Sequence, residues 1–374
     1  MTRSPAYRPK RILVARDAWD CPTTTRVLER LPEVPVQVVD DPEPLLRRFV
    51  PAELSRGKRQ LLLIRHRGRF LKSCPGRQSR EGVPNVCCDY FVINFASNCP
   101  MECTYCFLQG YLTNPYLTVF ANLDDLLAEV ADFIRILDFP ARVGTGELTD
   151  SLVLDHLLDY GSALVELFAK SRHGVLELKT KTDNVDHLLG LAHRGKTVLA
   201  WSLNPPEIQR TDELKTAAID ARLAAAERAV SAGYPVGFHF DPLVWYPGWR
   251  SGYERLVGDL FERIPAPAVA WISLGALRMA PRQLEVMRER FPKSRLPLGE
   301  FVRAPDGKLR YFKAVRLELY RFVLGEIRRR APSVKVYLCM ERPEVRRRIL
   351  GSEAPAERRL GSWLAAELPV LESR

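Results

Sequence analysis

Strand-like and helical runs that alternate six times in succession predict an α/β protein: a partial (β/α)6 barrel with a small N-terminal α/β accessory domain and a C-terminal basic extension carrying a β-hairpin. Three observations carry this reading. The alternation is regular from residue 89 onward, which favours a parallel sheet. Polar residues gather just past successive strands, where barrels place their chemistry. At 374 residues, 46% hydrophobic and 27% charged, the chain has room for one large core with appendages, and no apolar run approaches the roughly eighteen residues of a membrane span.

The elements follow in order. Arg11–Ala15, a helix over Thr23–Leu31 and Val36–Val39 suggest a small βαβ piece, and Gly57–Phe70 suggests two more strands. Asp89–Asn94 reads as the first barrel strand and Leu123–Leu137 as its helix. Ala141–Glu147 and Leu154–Lys170 form the second unit, Val175–Thr182 and Val185–His193 the third. Thr197–Leu203 with Ala221–Ala232, which stops at Gly233, gives the fourth, and Pro235–Val244 with Trp249–Ile264 the fifth. Ala268–Leu274 is the sixth strand. Beyond it, Phe301–Phe312 reads as a hairpin turning at Asp306-Gly307, a favoured two-residue turn, and Ser352–Arg374 as a short amphipathic helix at most. The expected domains are 1–85 (accessory), 86–277 (barrel) and 278–374 (basic region).

The chemistry-bearing motif is Asn98-Cys-Pro-Met-Glu-Cys-Thr-Tyr-Cys-Phe107, a C-x3-C-x2-C loop at the end of the first strand. Three thiolates from Cys99, Cys103 and Cys106 can hold three irons of a 4Fe–4S cluster and leave the fourth open for a ligand, whereas most such clusters take four cysteines. A structural zinc site is the alternative, but zinc modules bring their ligands in two separated pairs and no second pair follows at such spacing. Of the remaining cysteines, Cys74, Cys87, Cys88 and Cys339 are reduced thiols or ligands of a second cluster, since the N-terminus has no signal-peptide core. The expected compartment is the cytoplasm.

Around that loop the strand ends are polar: Gly144-Thr-Gly-Glu147 with Thr149 and Asp150, Lys179-Thr-Lys181, Ser202-Leu-Asn204, and His239 with Asp241. The formal charge of +11 is uneven, because Arg278–Arg348 holds 20 Lys/Arg against 8 Asp/Glu. A basic stretch with interleaved aromatics is the footprint of a polyanion partner, and a solvated helix face is the bland alternative. Lys308, Arg310, Tyr311 and Lys313 decorate the second arm of the hairpin and are the candidate nucleic-acid contacts.

The cysteine loop resembles that of the radical S-adenosylmethionine (SAM) superfamily. Over roughly residues 70–345 the chain resembles the spore photoproduct lyase family, through Lys72-Ser-Cys-Pro-Gly76, Val86-Cys-Cys-Asp-Tyr90, Cys99–Leu112, Arg142–Ser151, Lys181, Val185-Asp-His-Leu-Leu189, Trp201–Asn204, Ala232–Gly237 and Tyr337–Glu341. The resemblance implies a 4Fe–4S cluster on Cys99, Cys103 and Cys106, SAM on its open iron, and a 5′-deoxyadenosyl radical that abstracts a hydrogen atom from a pyrimidine photoproduct in DNA. It also implies an external electron donor such as a flavodoxin or ferredoxin. Carried over, Tyr105 flanks the cluster near the adenine, and Thr149, Lys181, Ser202 and Asn204 contact SAM. Glu147 accepts from the methionyl ammonium and is counted with Tyr105 among the catalytic residues. Two departures stand out: Glu147 occupies the place of the family's hydrogen-donating cysteine, and Phe107 that of a relay tyrosine. Two rival readings follow, a radical SAM enzyme acting on RNA or a small metabolite, and a non-catalytic cluster protein that binds nucleic acid.

Overall fold

The computed structural model describes residues 6–74, 88–351, 360–369 and 371. Its strands, in chain order, begin with β1 (Arg11–Ala15), β2 (Val36–Val39), β3 (Gln60–Ile64), β4 (Leu71–Ser73), β5 (Phe91–Ile93), β6 (Ala96–Ser97), β7 (Glu102–Cys103) and β8 (Leu117–Phe120). Then come β9 (Ala141–Gly144), β10 (Gly174–Thr180), β11 (Thr197–Ser202), β12 (Glu213–Leu214), β13 (Val236–Leu243) and β14 (Val269–Ala276). The last four are β15 (Arg278–Met279), β16 (Val302–Arg303), β17 (Leu309–Arg310) and β18 (Val336–Leu338).

The principal sheet has the order β18-β14-β13-β11-β10-β9-β5-β4. Every pairing in it from β5 to β18 is parallel, and only β4 runs antiparallel at the edge. Strands covered on both faces are apolar almost throughout, as in β11, where all six residues are buried. The six expected strands are therefore present, and β18 adds a seventh parallel strand from the segment assigned by sequence to the basic region. A three-residue strand carries too short an apolar run to stand out from its surroundings.

The smaller sheet, β2-β1-β3-β8-β6, crosses the expected boundary at residue 85, because β8 pairs in parallel with β3 immediately after the cysteine loop. Accessory and barrel residues, from Ile12 to Ile272, belong to one apolar core. The accessory layer is thereby fixed to the loop that concerns function.

Three local expectations differ from the structure. The helix over Leu154–Lys170 is two, Asp155–Leu158 and Tyr160–Phe168, because Asp159 takes a left-handed φ of 56° and the Asp155 carboxylate caps the second helix at Gly161 (2.8 Å). The Val185–His193 helix shrinks to one 3-10 turn at Asp186–Leu188, after Thr180 and Thr182 draw the preceding backbone into side-chain bonds. The hairpin closes through three residues rather than two: Ala304 and Lys308 pair (2.8 Å) around Pro305-Asp306-Gly307, with Gly307 at φ 79°. The helix Leu360–Ala365 packs with Val175, Val198, Trp271 and Tyr337 in a separate apolar cluster. No helix among the described residues is long and apolar enough to cross a membrane.

Candidate active site at the strand ends

The cysteine loop is anchored from three sides. β7 pairs antiparallel with β12, placing Glu213 opposite Cys103. Glu102, between the cysteines, is buried against three cations: Arg290 (2.7 Å), Lys58 (3.4 Å) and Lys215 (3.6 Å). Burial opposes its charge, but Lys58 and Arg290 overcome that and hold its carboxyl below the usual range. Gln283, on the Pro281–Arg290 helix, donates to the Tyr105 carbonyl (2.8 Å), and Arg290 also reaches Gln109 (2.6 Å). A helix of the expected basic extension thus belongs to the cluster loop.

Burial pushes the Cys99 thiol up to about 12 and the Cys103 thiol higher, so thiolates form there only when a metal displaces the protons. Of the other four cysteines in the region of resemblance, Cys87 lies outside the described residues. Cys88 receives the Arg142 guanidinium (2.8 Å), and Cys339, at the carboxyl end of β18, receives Arg278 (3.5 Å).

Facing the loop, Asp150 staples two strand ends together. Its carboxylate accepts from Leu152 and Val153 (both 3.0 Å), from the Thr180 hydroxyl (2.8 Å) and from the Lys181 N–H (2.7 Å). The turn after β9 and the end of β10 are thereby tied together. The Thr149 hydroxyl is buried and has no hydrogen-bond partner among the described residues. The Lys181 ammonium lies 5.7 Å from the centre of the Tyr105 ring. Burial disfavours its charge, yet Glu213 and Cys103 more than compensate and raise its pKa. An orphaned hydroxyl at one strand end and an ammonium interacting with Cys103 at the next fit the hydroxyl and carboxylate groups of SAM.

The polar groups of Asn204 and Tyr105 have partners of their own. The Asn204 amide donates to Glu213 (3.0 Å) and accepts from Tyr253 (3.1 Å), and the Tyr105 hydroxyl donates to Glu213, so both polar groups are engaged within the protein. Ser202 is buried nearby, its carbonyl bound by Arg222 (2.7 Å). The centre of this network is the Glu213–Arg222 ion pair (2.6 Å), with both side chains wholly buried. Burial alone would raise the Glu213 carboxyl, but Arg222 and Lys181 bring it down to about 2. Sequence reasoning missed both residues. The available signal was an arginine on the apolar stripe Ile219, Arg222, Leu223, Ala226 of the Ile219–Ser231 helix.

Glu147 is half-buried just past β9, and no hydrogen bond to it is formed by any described residue. Burial raises its pKa, while Lys179 and Lys72 pull it back. Deeper in the barrel, His239 bridges Glu177 (2.9 Å) and Ser273 (2.7 Å), and Arg142 is caged by the rings of Tyr90, Trp271 and Tyr337 at 4.8 to 5.1 Å.

The hairpin corrects the expected nucleic-acid contacts. Arg310 is buried, paired with Asp306 and bonded to the Met340 carbonyl (3.1 Å). Tyr311 is also buried, stacked on Phe301 with ring centres 5.3 Å apart. Both hold the hairpin to the barrel instead of facing outward. Lys308 is half-buried near the Met340 sulfur, and Lys313 is exposed but paired with Glu344 (2.7 Å). Part of the basic surplus is likewise drawn inward, as Arg278–Asp241 (3.0 Å) and Arg316–Glu341 (2.8 Å) show.

A family model described as spore photoproduct lyase matches residues 85–322. The chain belongs to the spore photoproduct lyase family. It is 28% identical over 348 residues to the spore photoproduct lyase of a Geobacillus species, covering 88% of this chain and 98% of that one. The spore photoproduct lyase of Bacillus subtilis is 31% identical over 215 residues, 56% of this chain and 63% of that one. Among solved structures, a spore photoproduct lyase complexed with dinucleoside spore photoproduct superposes with a TM-score of 0.77 at 25% identity, over 89% of this chain and all of that one. A variant of spore photoproduct lyase with bound AdoMet and the same dinucleoside matches equally well, with a TM-score of 0.77, 25% identity and coverage of 89% and 100%. The partial-barrel fold is accordingly that of this family, and the chain is a member of a radical SAM lyase family.

Proposed function

We propose that this chain repairs the spore photoproduct in DNA by radical SAM chemistry. The observation that carries the reading is the buried Lys181 ammonium, which interacts with Cys103 and lies 5.7 Å from the centre of the Tyr105 ring on the cysteine loop. A 4Fe–4S cluster on Cys99, Cys103 and Cys106 with SAM at its open iron supplies a 5′-deoxyadenosyl radical for hydrogen abstraction. Lys181 binds the methionyl carboxylate, and the Thr149 and Ser202 hydroxyls suit ribose. Asn204 acts indirectly, by holding Glu213 and through it the Tyr105 ring. Glu147 accepts from the methionyl ammonium.

The carboxylate at Glu147 sets a limit on the mechanism. A carboxyl O–H bond is too strong to give a hydrogen atom to a carbon radical, so the atom returned to the product comes from another group. DNA would meet the exposed residues of the hairpin, Arg303 and Phe312, with Lys313 beside them.

Anaerobic reconstitution tests the enzyme reading: dithionite and SAM should yield 5′-deoxyadenosine, and a Cys103→Ala control should not. Product at or below the control level would leave only the non-catalytic alternative. The substrate is tested by gel shift with plain duplex, thymine-dimer duplex, spore-photoproduct duplex and structured RNA at two salt concentrations. Preference for the spore-photoproduct duplex is expected, with affinity falling steeply with salt. Preference for RNA, or weak and salt-insensitive binding to all four, would transfer the radical chemistry to another substrate.

A further inference from the structure

A cleft of about 300 Å³ opens where β1 and β3 begin, lined by Lys10, Arg11, Arg56, Arg59 and Gln60. The four cations are exposed, and none has an acidic partner among the described residues. This sets the cleft apart from its surroundings. Arg8, Arg16, Arg47, Arg48, Arg65 and Arg67 of the same layer each face a carboxylate. Four uncompensated positive charges around one concavity produce a strong local field that draws an acidic surface.

The cleft is also joined to the cysteine loop. Arg56 lies on the helical turn Leu54–Gly57, and Leu54 is buried with Cys99, Met101 and Leu108. Gly57 approaches Pro115 so closely that a Cβ there would come within 2.4 Å of the proline ring. The next residue, Lys58, donates from its ammonium to the Met101 carbonyl (2.5 Å) and pairs with Glu102. The turn that carries Arg56 thus contacts the residues between the first two cysteines directly.

We propose that this cleft is the docking site of an acidic one-electron carrier protein that reduces the iron–sulfur group from the accessory-domain side. The proposal rests on the radical SAM reading above. One electron leaves the carrier and arrives on the iron–sulfur group; no bond forms and no proton moves. Charge complementarity favours an acidic protein, and the short path through Leu54 and Lys58 favours an electron carrier over a duplex, whose reacting base must reach the strand ends.

The test uses the reconstituted holoenzyme and reduced bacterial flavodoxin as the probe. A triple variant, Arg11→Glu, Arg56→Glu and Arg59→Glu, reverses three exposed charges that make no side-chain bond or ion pair among the described residues; the milder Arg56→Gln with Arg59→Gln serves as its check, with melting curves for each. We expect flavodoxin affinity at low salt to fall by about tenfold or more in the triple variant, less in the milder one, and the difference from wild type to shrink at high salt. Formation of 5′-deoxyadenosine driven by flavodoxin should fall in parallel, while the dithionite-driven rate and the affinity for spore-photoproduct duplex stay as in wild type. Unchanged flavodoxin affinity overturns the proposal. An equal loss of duplex binding overturns it as well and assigns the cleft to nucleic-acid phosphates. Failure of the wild-type enzyme with dithionite is a different result, because it removes the radical reading itself.

Discussion

Replacing Glu213 by glutamine isolates the buried network behind the cluster loop. The substitution keeps the shape of the side chain and removes its charge. The Arg222 guanidinium, 2.6 Å away and wholly buried, then keeps its charge without a counterion. Removing one partner of such a pair costs about 3–5 kcal/mol. With an unfolding entropy of about 2 cal/mol/K per residue over the whole chain, that corresponds to a fall in Tm of roughly 4–6 °C. Tyr105→Phe removes one hydrogen bond to the same carboxylate and should cost about 1.5–3 kcal/mol, because the acceptor is charged. The pH dependence has a definite sign. The Glu213 carboxyl titrates near 2 in the folded protein, below its ordinary 4.5, so its contribution is fully present above 4.5 and is lost as pH falls toward 2. Urea unfolding of the apoprotein at pH 7 and at pH 4, with the visible absorbance of the reconstituted cluster as a second readout, measures both effects. Glu213 pairs with Cys103 through β12 and β7, so cluster occupancy should fall together with stability. A Glu213→Gln protein within 1 kcal/mol of wild type by this assay would refute the claim that the pair supports the loop.

Other outcomes follow from the same geometry. Glu147→Gln should weaken SAM binding, measured by calorimetry, while cluster absorbance survives. Burial raises the Glu147 pKa, so wild-type affinity should also decline on acidification at a pH above the ordinary carboxylate range, and the glutamine variant should not show this step. Arg310→Ala should act on stability before affinity: the buried pair with Asp306 and the bond to Met340 are lost, a cost of about 3–5 kcal/mol in urea unfolding. Arg303→Ala, on the exposed arm, should leave the melting curve unchanged and reduce the salt dependence of duplex binding by about one counterion. Thr149→Val should raise the SAM dissociation constant without loss of stability, because the hydroxyl it removes is unpartnered among the described residues.

The chain's local order was enough to establish the alternation of strand and helix, the three cysteines at the end of the first barrel strand, and the polar residues past the following ones. These features are periodic or contiguous, and burial on both sheet faces writes them directly into hydropathy. The candidate cofactor residues Thr149 and Lys181 were legible for the same reason, since strand ends converge in any parallel barrel. Tertiary structure decided what local order could not encode. Glu213 and Arg222 look like surface charges in a string of residues; only tertiary packing buries both wholly and makes their ion pair structural. Arg310 and Tyr311 look like an open basic and aromatic arm, yet β17 is the central strand of a three-stranded sheet, so its side chains are drawn inward. The joining of the accessory layer to the cysteine loop depends on β8 pairing with β3 across more than fifty residues of chain. A pairing over that separation has no local signature, because loop closure over it is settled by the free energy of the assembled core.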